Sequence, residues 1–243
     1  MYKTILALAA LAVVGSAHAE SVCKPENIQA RLPGVESDSV RDTPLDGVCE
    51  IAFGPQIVYV SPDAQYLIRG DIVEIESNVN LTDQRRAKAR VKVMNDLKAD
   101  DMIVFAPEDE ARHVITVFTD IDCGYCRKLH REMADLHKNG IQVQYLFFPR
   151  SGPGSASWQK AQNVWCSDNR NDALTAAKNG ESVKAEPCES APIQEHYAMG
   201  QMVGLRGTPA VITETGELIS GYLPADAMLT RLESFKTATM ADK

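Results

Sequence analysis

The chain has 243 residues, 44% of them hydrophobic, and a formal net charge of -8. That length suggests one or two domains, and the apolar content is sufficient for a buried core. Acidic and basic residues are mixed along most of the chain, so composition argues against a general nucleic-acid-binding protein.

The N-terminal residues have the pattern of a secretory signal peptide. Lys3 is positively charged, residues 5–14 are apolar, and residues 17–19 (Ala-His-Ala) are a small-x-small cleavage site. The apolar run is too short to cross roughly 30 Å of hydrocarbon, which disfavours a membrane anchor. We therefore predict a signal peptide over residues 1–19 and export to an oxidising compartment.

Residues 20–81 are predicted to form a small α+β domain. Turn signals such as Gly54-Pro55 separate its short apolar runs. A domain of this size has a thin core and would gain stability from pairing with a second copy. The pattern predicts a short helix within residues 25–32 and strands over residues 48–53, 56–60, 66–68 and 72–75.

Residues 82–101 are predicted to be a linker helix. Thr82 is a candidate N-cap, and apolar residues recur at helical spacing up to Leu97. The remaining surface is charged, with five basic residues between positions 85 and 92. We weighed a nucleic-acid patch against a solvated connector between two domains, and the connector is favoured.

Residues 102–243 follow an alternating strand and helix pattern that predicts an α/β domain. A strand at 114–119, a helix at 123–138 and a strand at 141–148 predict two parallel strands with a right-handed crossover. The rest is a polar, helical stretch, a hairpin and a final amphipathic helix, at residues 151–202, 210–222 and after Pro224.

Cys123 and Cys126 form a CxxC motif where the predicted strand 114–119 turns into a helix. Backbone N–H groups and the macrodipole at a helix N-terminus stabilise a thiolate, and such settings lower a cysteine pKa to roughly 3.5–7.5. Cys126 lies one turn further along the same helix face. We predict that Cys123 attacks a substrate disulfide and that Cys126 resolves the mixed disulfide.

The alternatives for this motif are a zinc ligand pair and an inert structural bridge. A zinc site needs two further ligands, whereas Cys166 and Cys188 stand singly. His130, four residues after Cys126, is the remaining nearby candidate. We predict no metal and no cofactor.

A set of short motifs resembles the DsbC family of periplasmic disulfide isomerases. The resemblance covers nearly all of residues 102–235 and is weaker in the first domain. The motifs are VITVFTD (114–120), CGYC (123–126), KLH (128–130), YLFFPR (145–150), WC (165–166), HYA (196–198) and GTPA (207–210).

The resemblance implies a cystatin-like dimerisation domain of α+β class, a linker helix and an α/β thioredoxin-like catalytic domain with a helical insertion. It also implies that Thr208 and Pro209 form a cis-proline loop facing the CxxC motif, and that both contact substrate together with Gly124 and Tyr125. A Gly-Tyr dipeptide between the cysteines is typical of the isomerase, whereas the related DsbG usually has Pro-Tyr and the oxidase DsbA has Pro-His.

The resemblance implies a periplasmic thiol–disulfide isomerase or reductase that rearranges incorrect disulfides in exported proteins, with an accompanying chaperone activity. Its implied partners are a second copy of itself, misfolded exported proteins and a membrane electron donor of the DsbD type, and no nucleic acid is expected. The alternatives are a dithiol oxidase, a DsbG-like reductase and a redox-silent chaperone.

The sequence departs from the thioredoxin pattern at one buried position. Thioredoxins carry an acid six residues before the first cysteine, and this chain has Val117 there, as the isomerases do. Asp120 and Asp122 are the nearest acids. Asp122 would oppose thiolate formation at Cys123 by like charge, or is a solvated loop residue.

The four remaining cysteines are candidates for structural disulfides. We expect Cys166 and Cys188 to be paired, because the polar segment between them would otherwise be loosely held. Cys23 and Cys49 are extra to the family pattern. An even cysteine count in an oxidising compartment favours their pairing, with two free thiols as the alternative.

Overall fold

A computed structural model describes residues 21–241. The predicted signal peptide at 1–19 lies outside the described residues. Within the described range, none of the helices has the length and apolar character needed to cross a membrane.

The N-terminal domain is built on an antiparallel sheet. One short helix, α1 (Pro25–Gln29), packs its buried Ile28 against the sheet. The four strands lie in chain order: β1 (Val40–Asp42), β2 (Cys49–Phe53), β3 (Gln56–Val60) and β4 (Leu67–Ile68). A separate two-stranded hairpin follows, formed by β5 (Val73–Glu74) and β6 (Val79–Asn80).

The helix α2 (Leu81–Asn95) begins differently from the prediction. Its N-cap is Asn80, whose side chain accepts a hydrogen bond from the Asp83 N–H at 2.9 Å. The prediction of Thr82 as the cap is wrong because its hydroxyl is buried. It bonds to the Tyr59 hydroxyl at 2.5 Å and to the Ile72 N–H at 2.8 Å.

One face of α2 is covered by the following domain, so the expectation of a solvated connector is wrong for that face. Arg90 is buried and donates to the carbonyl oxygens of Gly216 at 3.2 Å and Val203 at 3.4 Å. Gly216 has φ +86°, and a Cβ there would lie 2.0 Å from the Ala87 carbonyl oxygen. The lack of a side chain thus permits the close approach.

The second domain contains a five-stranded sheet with the order β11-β10-β8-β9-β7. The predicted parallel pairing of β8 with β9 is confirmed, and the other pairings are antiparallel. Ala210 lies opposite Phe118, which brings the segment before β10 to the end of β8. The strands are β7 (Ile103–Phe105), β8 (His113–Thr119), β9 (Ile141–Phe147), β10 (Ala210–Thr213) and β11 (Leu218–Ser220).

Helices cover both faces of this sheet, and three of them form the insertion between β9 and β10. They are α3 (Gly124–Arg131), α4 (Met133–Lys138), α5 (Ala156–Trp165), α6 (Arg170–Lys178), α7 (Ile193–Met202) and α8 (Ala225–Ala241). The prediction of one helix over 123–138 is wrong. The helix is interrupted at Glu132, between α3 and α4. The Glu132 carboxylate accepts hydrogen bonds from the Tyr222 hydroxyl and from the Ala225 N–H.

Each domain contains one disulfide. Cys23 and Cys49 connect the segment before α1 to β2, and Cys166 and Cys188 connect the end of α5 to the segment before α7. Cys123 and Cys126 are free thiols. The second bridge closes the segment of the chain that contains α6.

We predict that the double variant Cys166→Ala/Cys188→Ala loses about 3 kcal/mol of unfolding free energy, because the bridge restricts the unfolded chain across 22 residues. Urea denaturation measures this loss. When protein with Cys123 and Cys126 in the reduced state is treated with a thiol-blocking reagent, peptide mass mapping should find the label on these two cysteines only. A label on Cys166 or Cys188 in protein from an oxidising compartment would contradict the pairing.

Candidate active site

The CxxC motif lies at the carboxyl end of β8, where the strand turns into α3. Cys123 is the N-cap residue of α3, and Cys126 lies in its first turn. The free N–H groups of that turn point toward Cys123, and the helix dipole favours negative charge there. The strand thus delivers Cys123 to a site that stabilises a thiolate.

Cys123 has the properties of a nucleophile. A hydrogen bond from the Cys126 side chain, the largest influence, and the positive charge of Arg150 lower the pKa of Cys123 to about 5. Its side chain is 3% exposed, and Sγ lies 3.2 Å from the carbonyl oxygen of Thr208. At neutral pH this sulfur is therefore largely a thiolate.

Cys126 has the opposite character. It is 1% exposed, and burial, followed by its hydrogen bond to Cys123, raises its pKa well above the ordinary range of a thiol. Cys126 therefore stays protonated while Cys123 is ionised. The two thiols are distinguished by their protonation state more than by their exposure.

The proline loop lies directly across from Cys123. The Thr208–Pro209 peptide bond is cis, and the Thr208 carbonyl faces the Cys123 sulfur. The structure thus brings Thr208 and Pro209 to the CxxC motif from a part of the chain 85 residues away.

The dipeptide between the cysteines lies at the surface. The Tyr125 side chain is 64% exposed and stacks on Tyr222, with ring centroids 6.2 Å apart. A Cβ on Gly124 would meet no atom within 4 Å, so packing does not require glycine there. Tyr125 and Tyr222 form an exposed aromatic surface beside the cysteines.

Asp120 organises the loop before Cys123. Burial alone would raise the pKa of its carboxyl group, but hydrogen bonds from Ser157 and Arg150 outweigh this effect and lower the pKa. Arg150 donates to Asp120 through its backbone N–H at 3.0 Å and its side-chain Nε at 3.1 Å. The ionised Asp120 thereby holds a cation close to the thiols.

Asp122 does not carry an uncompensated charge next to Cys123. Its carboxylate contacts Lys160 Nζ at 2.6 Å and Arg127 Nη2 at 3.2 Å. These two cations offset the like-charge repulsion that the sequence suggested. The residue is a partly exposed member of an ion-pair cluster.

Lys178 is a site residue that the sequence reasoning missed. Its side chain is 2% exposed, and Nζ donates to the Thr119 hydroxyl at 2.6 Å and to the Asp120 carbonyl at 2.9 Å. Burial lowers the pKa of Lys178 to about 8. A lysine in the last turn of a polar helix gives no sequence signal, because that position is usually solvated.

His130 is the candidate zinc ligand near the CxxC motif, and both of its ring nitrogens are in hydrogen bonds. They lie 3.1 Å from the Tyr145 hydroxyl and 3.0 Å from the Thr175 hydroxyl. Burial lowers the pKa of His130 to about 4, so the ring is neutral at physiological pH. The residue joins α3 to β9 and α6.

Comparison with known proteins agrees with this geometry. Residues 99–236 match a family model described as a thioredoxin-like domain, and residues 15–83 match the disulfide bond isomerase protein N-terminal domain. The chain is 34% identical to the thiol:disulfide interchange protein DsbC of Dickeya dadantii, over 96% of this chain and 95% of that protein. It is 35% identical to the Escherichia coli K12 protein of the same name, over 85% of each chain.

The chain belongs to the DsbC family. It is accordingly a thiol–disulfide oxidoreductase, and the predicted fold class and family are confirmed. A solved structure of a Proteus mirabilis ScsC variant shares the fold, with a TM-score of 0.51 and 16% identity over 63% of this chain and 82% of that chain.

We predict that alkylation of reduced protein by iodoacetamide is half-maximal near pH 5 at Cys123, following its pKa. Cys126 should react far more slowly throughout, because its thiol is buried and protonated. Peptide mass spectrometry of partly alkylated protein separates the two sites. Equal rates, or a midpoint near the ordinary cysteine pKa of about 8.5, would count against these assignments.

Proposed function

We propose that this protein rearranges incorrect disulfides in proteins exported to the periplasm, with Cys123 as the nucleophile. The observation that carries the proposal is the position of Cys123 at the N-cap of α3, facing the cis Thr208–Pro209 loop, with Cys126 buried one turn further along the helix. The Cys123 thiolate attacks a substrate disulfide, forms a mixed disulfide and releases one substrate thiolate. That thiolate or another substrate thiol then attacks again, which returns Cys123 without net oxidation or reduction.

Cys126 releases the substrate when the mixed disulfide between Cys123 and the substrate persists. It attacks Cys123, forms the Cys123–Cys126 disulfide and releases a reduced substrate. The protein then needs two electrons before it can act again. A membrane dithiol donor of the DsbD type is the proposed source, and the predicted signal peptide accounts for the periplasmic location.

The proline loop and the Tyr125 surface are the proposed substrate contacts. An extended peptide beside Thr208 and Pro209 would pair with backbone groups of the loop and place its sulfur near Cys123. Gly124 leaves open space there, and the exposed Tyr125 ring offers an apolar contact. Backbone pairing suits a protein that must accept many unrelated clients.

We predict that Cys123→Ser abolishes recovery of activity from a scrambled multi-disulfide substrate. Cys126→Ser should retain slow isomerisation and accumulate mixed disulfides, because exit through Cys126 is lost while substrate thiols can still attack. Activity recovery and non-reducing electrophoresis measure the two effects. If Cys123→Ser still isomerises, a chaperone without redox chemistry explains the activity better.

The N-terminal domain is the proposed dimerisation domain. The proposed divisions of the mature chain are this domain at residues 20–81, the linker helix at 82–101 and the catalytic domain at 102–243. Its edge strand β4 and the adjoining hairpin expose large apolar side chains, among them Tyr66 at 71% and Ile75 at 93%, together with Leu67, Ile68 and Val73. An exposed apolar edge strand favours pairing with another strand. A second copy in a two-fold arrangement would cover these residues.

A dimer of this kind would place two catalytic domains around one open space. Such a space suits an unfolded client that Cys123 must attack at several sulfurs before release. It also provides the basis for the proposed chaperone activity, since unfolded segments would be held without any redox step.

We predict that Leu67→Lys/Ile68→Lys converts the dimer into a monomer, because burying unpaired charge costs several kcal/mol. Analytical ultracentrifugation measures the mass. The variant should still reduce a simple disulfide but lose most isomerisation of a scrambled protein. Leu45→Lys is the matched control, since Leu45 is equally exposed but lies in the β1–β2 loop at the opposite edge of the sheet.

A dimer that persists in Leu67→Lys/Ile68→Lys would place the interface elsewhere. A monomer that isomerises as well as the unmodified protein would show that dimerisation is not needed for the reaction.

A further inference from the structure

A buried lysine lies beneath the resolving cysteine. Lys178, in the last turn of α6, extends to the end of β8, where Nζ contacts the Thr119 hydroxyl at 2.6 Å and the Asp120 carbonyl at 2.9 Å. Burying a lysine is costly, and two neutral acceptors offset this cost only in part. A methionine side chain would fill the same space without that cost, so packing alone does not require an amine at position 178.

The Thr119 hydroxyl connects this amine to the active site. Thr119 is fully buried, its hydroxyl accepts a hydrogen bond from Lys178 Nζ at 2.6 Å, and the same hydroxyl lowers the pKa of the Cys126 thiol. A hydroxyl can accept one proton while donating another. The Cys126 thiol, the Thr119 hydroxyl and the Lys178 amine are therefore neighbouring groups that are all buried from solvent.

Other titratable and charged groups face the same space but are poorly suited to take a proton from Cys126. Asp120 is held ionised by Ser157 and Arg150, which lowers its carboxyl pKa and makes it a weak base. The remaining neighbours are Arg127 and His130 on α3, Tyr145 on β9, Arg150 after β9, and Cys123.

Each of these neighbours is excluded for a specific reason. Arginines stay protonated, and the hydroxyl pKa of Tyr145 is raised by burial. Cys123 is bonded to the substrate sulfur at this step and has no thiolate to accept a proton. His130 has both nitrogens occupied and a pKa near 4. Val117, at the position where thioredoxins carry an acid, is apolar and fully buried. Lys178 has a pKa of about 8, so its neutral form is accessible near physiological pH.

We propose that Lys178 accepts the proton of Cys126, through the Thr119 hydroxyl, when Cys126 displaces a substrate from Cys123. This inference rests on the proposed roles of the two cysteines. Lys178 is a positioning residue for proton transfer, because it acts through Thr119 and does not touch the sulfur atoms that exchange.

The Cys126 S–H proton moves to the Thr119 oxygen as the Thr119 proton moves to neutral Lys178. The Cys126 sulfur then bonds to the Cys123 sulfur, and the bond between Cys123 and the substrate sulfur breaks. The substrate thiolate leaves with the electron pair and takes a proton from water. When a dithiol donor later reduces the Cys123–Cys126 disulfide, Lys178 returns its proton to Cys126.

The test separates the two chemical steps in the full-length protein. Reduced protein is mixed with a disulfide-linked peptide pair, quenched with acid and analysed by mass spectrometry between about pH 5 and pH 10. The appearance of the Cys123 mixed disulfide measures attack. Its conversion to the Cys123–Cys126 disulfide measures release. In the unmodified protein, release should rise through about pH 8 and level off.

The variants Lys178→Met and Thr119→Val should each slow release near pH 8 by about a hundredfold, at the lower end of the range for general acid–base assistance. In both, release should continue to rise with pH instead of levelling off, while attack by Cys123 changes little. Lys184→Met is the matched control, because it removes an exposed positive charge six positions further along the chain.

Three results would overturn or redirect the proposal. Unmodified pH profiles in both variants would exclude the proton path. A parallel loss of attack, release and thermal stability would assign Lys178 a structural role only. If Lys178→Met does not fold, the pH profile of release in Thr119→Val tests the proton path. Absence of any mixed disulfide at Cys123 in the unmodified protein would instead refute the proposed function itself.

Discussion

The interaction between the Cys126 thiol and the Cys123 sulfur is the one on which the chemistry of this protein depends. It stabilises negative charge on one sulfur and retains the proton on the other, so one of two identical side chains becomes a nucleophile. The two sulfurs interact because β8 ends where α3 begins, with Cys123 at the N-cap and Cys126 one turn further. The parallel pairing of β8 and β9 fixes this junction within the core.

The polar groups beneath this junction are arranged so that each buried charge has a partner. Asp120 accepts hydrogen bonds from Ser157 and Arg150, and Lys178 donates to Thr119 and the Asp120 carbonyl. Removing one member would leave another buried and unpaired, which is far more costly than losing a surface ion pair. The helical insertion supplies two of these residues, Ser157 on α5 and Lys178 on α6. The Cys166–Cys188 disulfide holds this insertion in place, and it therefore supports the site indirectly.

The sequence predicted features that depend on local patterns and missed those that depend on tertiary contacts. The strands around the CxxC motif and their parallel pairing were predictable, because apolar runs and helix signals repeat over several residues. Strands β1 and β6 have only three and two residues, which is too few to show alternation. The break at Glu132 arises from its contacts with Tyr222 and Ala225, 90 and 93 residues away, and no local signal marks it. Lys178 escaped notice for the same reason, since its partners are 58 and 59 residues away.

The balance between rearranging and reducing a substrate follows from the same two sulfurs. A low pKa at Cys123 makes it a good leaving group in a mixed disulfide, so substrate thiols can readily displace it. The high pKa of Cys126 slows its attack on the mixed disulfide. The substrate thiols then have more time to form other disulfides before release. A proton acceptor that loses its own proton near pH 8 would keep that release available without making it dominant. On the roles proposed for these residues, isomerisation depends on slow release through Cys126, and Lys178 would set the rate of that release.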